Sequence, residues 1–470
     1  MSARKIGFLI LLLGFGAVLE TAWSLRQDQV AIGPEGCRVL GGRFYGPSFT
    51  FEDTEERALP EGGPLELRVE NAFGAVRIET AEGRTLRVKL RKVVYLPTEE
   101  KARTFAEGVR LQIEQDGTRV RVGTNREEVS RQRDVGLETH LELAVPPETI
   151  AFVRNDHGSV AVKGIAQSDV HVSFDDVHLE AIRGPATVEV RHGAVRVANV
   201  GGTLTVTARH GDVDLENVLG QADLDVQHGT LTSRRTGALR VKGSYESVNA
   251  DGVGGDLRVD TRHGSVTASG VDGGADVETS FGDVHLSGVR GDGRAKTEHG
   301  EVRVEDARGR LEARTTFGSL RLERVEGAAT ATVQHGGVEA RSLEGGARVR
   351  AEGGDVSIKS FRGAVDALVE RGSIRLAPEA PITSPITASA SGGDVRLEVP
   401  AGSHFDLEAL SRHGDLKLDA PGLEVAKVEE VADRHPVSGR AGGGGAPVRL
   451  TADGDVVVEP APVATTPEAP

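Results

Sequence analysis

Seven glycines, Gly264, Gly282, Gly300, Gly318, Gly336, Gly354 and Gly372, stand 18 residues apart without exception. A strict period of this length marks one supersecondary unit that cannot bury its apolar face alone and must stack on copies of itself. The residue before the glycine is usually a ring, as in His192-Gly193, His210-Gly211, His228-Gly229, His263-Gly264, Phe281-Gly282, His299-Gly300, Phe317-Gly318 and His335-Gly336. His157-Gly158 extends the array upstream, and Gly392-Gly393 and His413-Gly414 extend it downstream. Two coils depart from the rule, with Asp175 after Phe174 and Glu246 after Tyr245. Aspartate tolerates the left-handed turn that glycine favours, whereas glutamate does so less readily.

Inside each unit the period is two. In Leu257-Arg258-Val259-Asp260-Thr261-Arg262-His263 apolar or small residues alternate with charged ones, the pattern of a strand with one dry and one wet face. A second break falls near Gly270 to Gly274 and recurs at Gly288 to Gly291. Each unit is therefore two short strands joined by two turns. The expected fold class is all-β, a single-stranded β-solenoid (β-helix) with about 18 residues per coil. Composition agrees, because 61 glycines, 4% aromatics, one Met and one Trp do not make a conventional globular core of 470 residues.

The stacked rings read His, Phe, His, His, His, Tyr, His, Phe, His, Phe, His from position 157 to 335, and their parity matches the buried positions. Eight of the 14 histidines occupy this motif position. Histidine ligates metals and titrates near neutrality, yet Phe and Tyr take the same place and the single cysteine, Cys37, completes no ligand set. A structural ring ladder is expected, with pH-dependent stability as the second reading. A column of Asp212, Asp283, Glu301, Asp355, Asp394 and Asp415 follows the glycines and reads as turn capping, since the calcium-binding nonapeptide is absent. No residue is assigned a catalytic, cofactor-binding or metal role, and no cofactor is expected.

The remainder of the chain divides around the array. Arg4 and Lys5 precede an apolar run of 14 residues from Ile6 to Leu19, and Ala22-Trp23-Ser24 offers small residues for a cut. Residues 1–24 thus form a signal peptide or an N-terminal membrane anchor, and export follows from either. Residues 25–62 read as linker, 63–153 as an N-terminal β cap with one helix between Pro97 and Gly108, 154–420 as solenoid, 421–458 as closing coil and 459–470 as disordered tail. The formal charge of −15 excludes nucleic acid as the main partner. Within it, residues 84–133 carry 13 Lys or Arg against 7 Asp or Glu, either a basic face for anionic surfaces or a solvated strand face.

Several segments resemble the bacterial putative-adhesin domain family, a domain of unknown function with β-solenoid repeats. They are Leu67-Arg68-Val69-Glu70-Asn71-Ala72-Phe73-Gly74-Ala75-Val76, the basic strand Val88 to Val94, the helix, Val145-Pro146-Pro147 and the close from Gly442 to Val456. The resemblance spans about 63 to 458 and implies a role at the envelope. The expected function is a non-catalytic, exported, adhesin-like binding or scaffold module that is periplasmic, on the cell surface or membrane-anchored. Its partner would be an envelope protein, glycan or anionic surface. A self-assembling filament and a polysaccharide-acting β-helix enzyme are the alternatives.

Overall fold

A computed structural model describes residues 39–40, 43–44, 47–132, 135–425 and 436–462. The segment expected to direct export therefore lies outside the described residues, as does most of the C-terminal tail. The fold is all-β, a β-solenoid of about 18 residues per turn. It divides after Asp175 into two compact units.

In the unit from Asp176 onward each coil lays one strand in each of two parallel sheets. Ala275–Phe281 pairs with Gly293–His299 and Val284–Val289 with Val302–Ala307, residue for residue at an offset of 18. Ala275, Val277 and Thr279 from one strand meet Val284, Leu286 and Val289 from the other in a dry interior. Alternation slips by one before the last apolar residue, because the position ahead of it is left-handed. Asn199, Asn217, Asp306, Arg324, Ser342 and Ser360 have φ between 54° and 58°, with Gly252, Gly270 and Gly288 equivalent in other coils. This turn re-aims the chain inward.

The ring-linked glycines are excluded from substitution by the coil below. A Cβ on Gly282 would stand 2.1 Å from the carbonyl oxygen of Gly264, one on Gly300 2.2 Å from Gly282 and one on Gly318 2.0 Å from Gly300. The other corner repeats the arrangement, Gly309 on Gly291 at 2.3 Å and Gly327 on Gly309 at 2.1 Å. The two coils that lack the ring-linked glycine are also the short ones. Their registers, Ile150↔Gln167 and Ala222↔Leu239, advance by 17 residues. Asp175 keeps a positive φ of 109°, whereas Glu246 lies within the unbroken strand Leu239–Val253, paired with Gly229.

This unit closes by a change of order. The coil Ala446–Ala452 and Val456–Pro460 lies between the coil of Ile386–Ala390 and Val395–Val399 and that of Phe405–Ser411 and Leu416–Leu418. The stretch expected to close the array is thus inserted within it, and residues 405–418 are outermost. Val437–Ala441 covers the free edge of Phe405–Ser411 in antiparallel pairing, and Leu423–Val425 pairs outside it. Glu459 and Pro460, expected in the tail, belong to a strand.

The unit ending at Asp175 opens with the same device. The coil of Glu66–Phe73 and Val76–Thr80 lies between Ile150–His157 with Val160–Lys163 on one side and Arg119–Thr124 with Gly136–Val145 on the other. Leu111–Asp116 caps Arg119–Thr124, and Thr85–Tyr95 caps Gly136–Val145. Ser48–Ala58 then pairs antiparallel along all of Thr85–Tyr95, so this part of the expected linker is strand. Helix α1 (Glu99–Ala106) packs Ala102, Phe105 and Ala106 on Val94, Val109 and Leu137. A second helix, α2 (Arg126–Gln132), was not expected.

Gly300→Val forces Cβ into backbone and should destabilise by about 3 kcal/mol or more. A lowered melting temperature with new protease cleavage near residue 300 checks this. Conversely, Ser342→Gly relieves a left-handed serine and should stabilise by roughly 0.5–1 kcal/mol, read from denaturant unfolding.

Candidate binding surface

The ring column is built by the register. Parallel strands that match residue for residue put equivalent side chains one strand spacing apart, so planar rings stack. In the first unit Phe73, His157 and Phe174 follow at 4.2 and 4.7 Å between centroids. In the second, His192, His210 and His228 stack at 4.8 and 4.9 Å, and His263, Phe281, His299, Phe317 and His335 at 4.8 to 5.1 Å.

Parity had placed these rings inside, and the structure places them at an open corner. Phe281 is 46% exposed and Phe317 47%. The last inward position is two residues earlier, at the buried Thr261, Thr279, Thr297 and Thr315. The turn then swings the ring outward before it could enter the core. The threonine hydroxyls brace the turn, donating to the glycine carbonyl of the preceding coil: Thr279 to Gly264 (3.3 Å), Thr297 to Gly282 (3.0 Å) and Thr315 to Gly300 (3.1 Å).

This geometry decides what the column can do. Each ring offers its faces to its neighbours and only its edge to water, so no face remains along the stack for a sugar ring. The ring centroids of His192 and His210 stand 4.8 Å apart, wider than the roughly 4.2 Å that two zinc–nitrogen bonds span end to end.

The carboxylate column caps the next coil. Asp212 accepts from the Thr230 N–H at 2.8 Å, Asp283 from Glu301 at 2.8 Å, Asp355 from Ser373 at 2.9 Å and Asp394 from Asp455 at 2.8 Å. Glu301 instead reaches outward to Arg321 at 3.1 Å. The Asp415 N–H donates to Asp455, as the inverted coil order requires. Among the described residues no group of three His, Cys, Asp or Glu is placed to hold a metal.

The basic stretch is neutralised by the strand taken for linker. Arg87 meets Glu56 at 2.5 Å, Lys89 meets Glu52 at 2.9 Å and the buried Lys92 meets Asp53 at 2.5 Å. Lys92 also donates to the Ala106 carbonyl at the end of α1, where the helix dipole favours a cation. Elsewhere in the stretch Arg84 pairs with Glu148, Arg119 with Glu66 and Arg121 with Glu70. Among the described residues of 84–133, most of the cations are therefore paired. The alternating Glu and Asp of residues 52–56 were the available signal.

A buried polar chain in the cap escaped sequence reading. The Tyr95 hydroxyl donates to Glu138 at 2.5 Å, His140 Nε2 meets the other oxygen of Glu138 at 3.1 Å, and His140 Nδ1 accepts the Ala75 N–H at 3.0 Å. Nδ1 is an acceptor, so the proton sits on Nε2. The chain ties the first coils to the cap rather than offering a reactive atom.

His210 titrates below its ordinary value, first because stacking desolvates it, then through repulsion by His192, His228 and Arg209. His157 is likewise lowered, by burial foremost and by Arg126, with Asp156 and Asp175 opposing. A histidine with a lowered folded pKa binds fewer protons folded than unfolded, so stability falls as pH drops below about 6.5. Asp306 and Asp366, held low chiefly by hydrogen bonds from Arg324 and Arg350, act only in a more acid window. Melting temperature should therefore fall between pH about 7.5 and about 5.5, and His210→Phe should flatten that slope while keeping the stack.

A family model described as Toastrack DUF4097 matches residues 93–346 and 331–459. No curated protein matches the sequence. Among solved structures, a putative cell adhesion protein from Clostridium sporogenes is 6% identical with a TM-score of 0.15, the match covering 87% of this chain and 99% of that one. A putative adhesin from Bacteroides fragilis is 12% identical with a TM-score of 0.21, covering 60% of this chain and 97% of its own. Neither superposition is close enough to bear on function.

Proposed function

This chain belongs to the Toastrack DUF4097 family, and from that premise we propose that it is an exported, non-catalytic module that binds or scaffolds at the cell envelope. The observation that carries this reading is the outward surface of the coils. Equivalent positions recur one coil apart as columns of rings and of carboxylates, with ion pairs between coils, a form suited to a repetitive or extended ligand. Arg4, Lys5 and the run Ile6 to Leu19 support export. Among the described residues no helix is long and apolar enough to cross a membrane.

Two features favour this reading over its alternatives. A filament grown end to end needs open strand edges, whereas antiparallel strands lie over the outer edges of residues 119–124, 136–145 and 405–411. A glycan-cleaving site needs carboxylates converging across a groove. The column Asp212, Asp283, Asp355 and Asp394 instead holds each carboxylate against a backbone N–H.

Co-sedimentation of the purified chain with isolated wall and membrane fractions, across salt concentrations, tests the proposal. Saturable binding is expected, and replacing Arg87 and Lys89 with serine should leave it unchanged because both are already paired. Binding to neither fraction would favour self-association or a dedicated protein partner.

A further inference from the structure

We propose that the corner formed by His192, His210 and His228 with Arg191 and Arg209 binds an acidic polysaccharide, a carboxylated glycan laid along the coil direction. The inference rests on the envelope-binding reading and names its ligand class.

The argument begins with complementarity between coils. Where charged side chains meet at equivalent positions one coil apart, the signs are usually opposed: Arg290 on Asp272 at 2.6 Å, Arg324 on Asp306 at 2.5 Å, Arg258 on Asp276 at 4.0 Å, and Lys296 on Glu278. At this corner like meets like. Arg191 and Arg209 occupy the same place in successive coils, both exposed, and neither guanidinium has an acidic partner among the described residues. Beside them stand three imidazoles in succession, also exposed, where other parts of the column alternate His with Phe. Like charges directly opposed across a ladder are destabilising. Like pairs recur elsewhere, as Arg303 on Arg321 and Arg375 on Arg396, but there each guanidinium has an acid beside it. Two successive guanidiniums with none mark a surface whose countercharge comes from outside.

The surrounding acids do not pair with these two guanidiniums. Asp176 and Asp212 each direct an oxygen at a backbone N–H, of Ala194 and Thr230. Asp176 and Asp214 flank Arg196 on the other sheet, at 3.5 and 4.0 Å. Glu189 and Asp225 lie on the outward faces of the ring-bearing strands, three residues before His192 and His228. In the next coil Gln227 takes the place of Arg209, which ends the basic pair.

The ligand class follows from what the corner presents. Ring faces are engaged in stacking, so recognition is by imidazole edges and guanidinium forks. Forks take carboxylates in paired hydrogen bonds, and imidazole N–H edges donate to hydroxyls or carboxylates. A uronic-acid glycan carries both groups along an extended chain. Duplex nucleic acid carries one charge per ~1.7 Å, and it would have to lie over a protein of net charge −15. A bound carboxylate offsets the repulsion among the three rings, so binding takes up protons and tightens as pH falls.

Titration calorimetry of the full chain with oligogalacturonate, at pH about 7.5 and about 5.5, is the test. Binding should be stronger at the lower pH, with proton uptake seen as a dependence on buffer ionisation heat. Arg191→Ala with Arg209→Ala should weaken it about tenfold or more, the loss of charge-assisted hydrogen bonds, without lowering the melting temperature. His210→Phe should weaken binding modestly at the higher pH, because one imidazole donor is lost, and reduce its tightening at the lower. Equal binding of neutral dextran, tighter binding of single-stranded DNA, or no effect of the arginine pair would each overturn the proposal. Envelope binding by the native chain that the arginine pair leaves intact would overturn this site alone, whereas absence of envelope binding altogether would overturn the broader reading.

Discussion

The contact on which the coils depend is backbone against backbone at the corners. The carbonyl oxygen of one turn glycine fills the space where the Cβ of the glycine a coil later would stand, at 1.9 to 2.4 Å through much of the column. No side chain can enter, so successive corners nest and the strands that leave them are held in register. Side-chain ladders then follow without further specification. Rings meet rings, threonine hydroxyls meet the carbonyls of the nested turns, and aspartates meet the N–H one coil on. A single slip of register would turn every inward residue outward. The steric rule at the glycines thus secures the dry interior.

A stack of this kind ends in strands with unpaired edges, and both units meet that liability with the same topology. A coil distant in the chain is inserted next to the end, and antiparallel strands lie outside the terminal one. Antiparallel pairing interrupts the parallel template, which discourages a second chain from continuing it. In the first unit the covering strands also settle the electrostatics, since Glu52, Asp53 and Glu56 lie against Lys89, Lys92 and Arg87. Edge protection and charge neutralisation are here one strand pairing.

What the sequence revealed and what it hid divide along the same physical line. The repeat was legible because exclusion of a Cβ acts at one position and leaves glycine at a fixed interval. The ring column was legible as a column but not as exposed, because parity ignores a chain that turns away two residues earlier, at Thr279 or Thr297. The strand Ser48–Ala58 was hidden by its Ser, Thr and Glu content and by a partner, Thr85–Tyr95, distant in sequence. The inverted coil order was hidden for another reason: Ala446–Ala452 and Phe405–Ser411 carry similar alternation, and only their pairing tells which is outermost. Left-handed corners were half visible, through Asn199, Asn217 and Asp306, and masked where Arg324 or Ser342 stands instead.

Because the register dictates which side chains meet, the surface can be judged by whether those meetings agree. Where Arg324 lies on Asp306, or Asn217 donates to Asn199 at 2.8 Å, outward residues stabilise the stack that displays them. Where Arg191 precedes Arg209 and three imidazoles follow one another, the same register sets like against like, and the repulsion adds to the desolvation that holds His210 below its ordinary value. Nothing in the corner requires that choice, for Phe281 and Phe317 serve the ladder equally well between histidines. The stack tolerates the conflict because a few unfavourable contacts at an exposed corner cost little beside the glycine-packed backbone beneath them. The rigidity of the coils is what allows their surface to carry charge that the fold itself does not need.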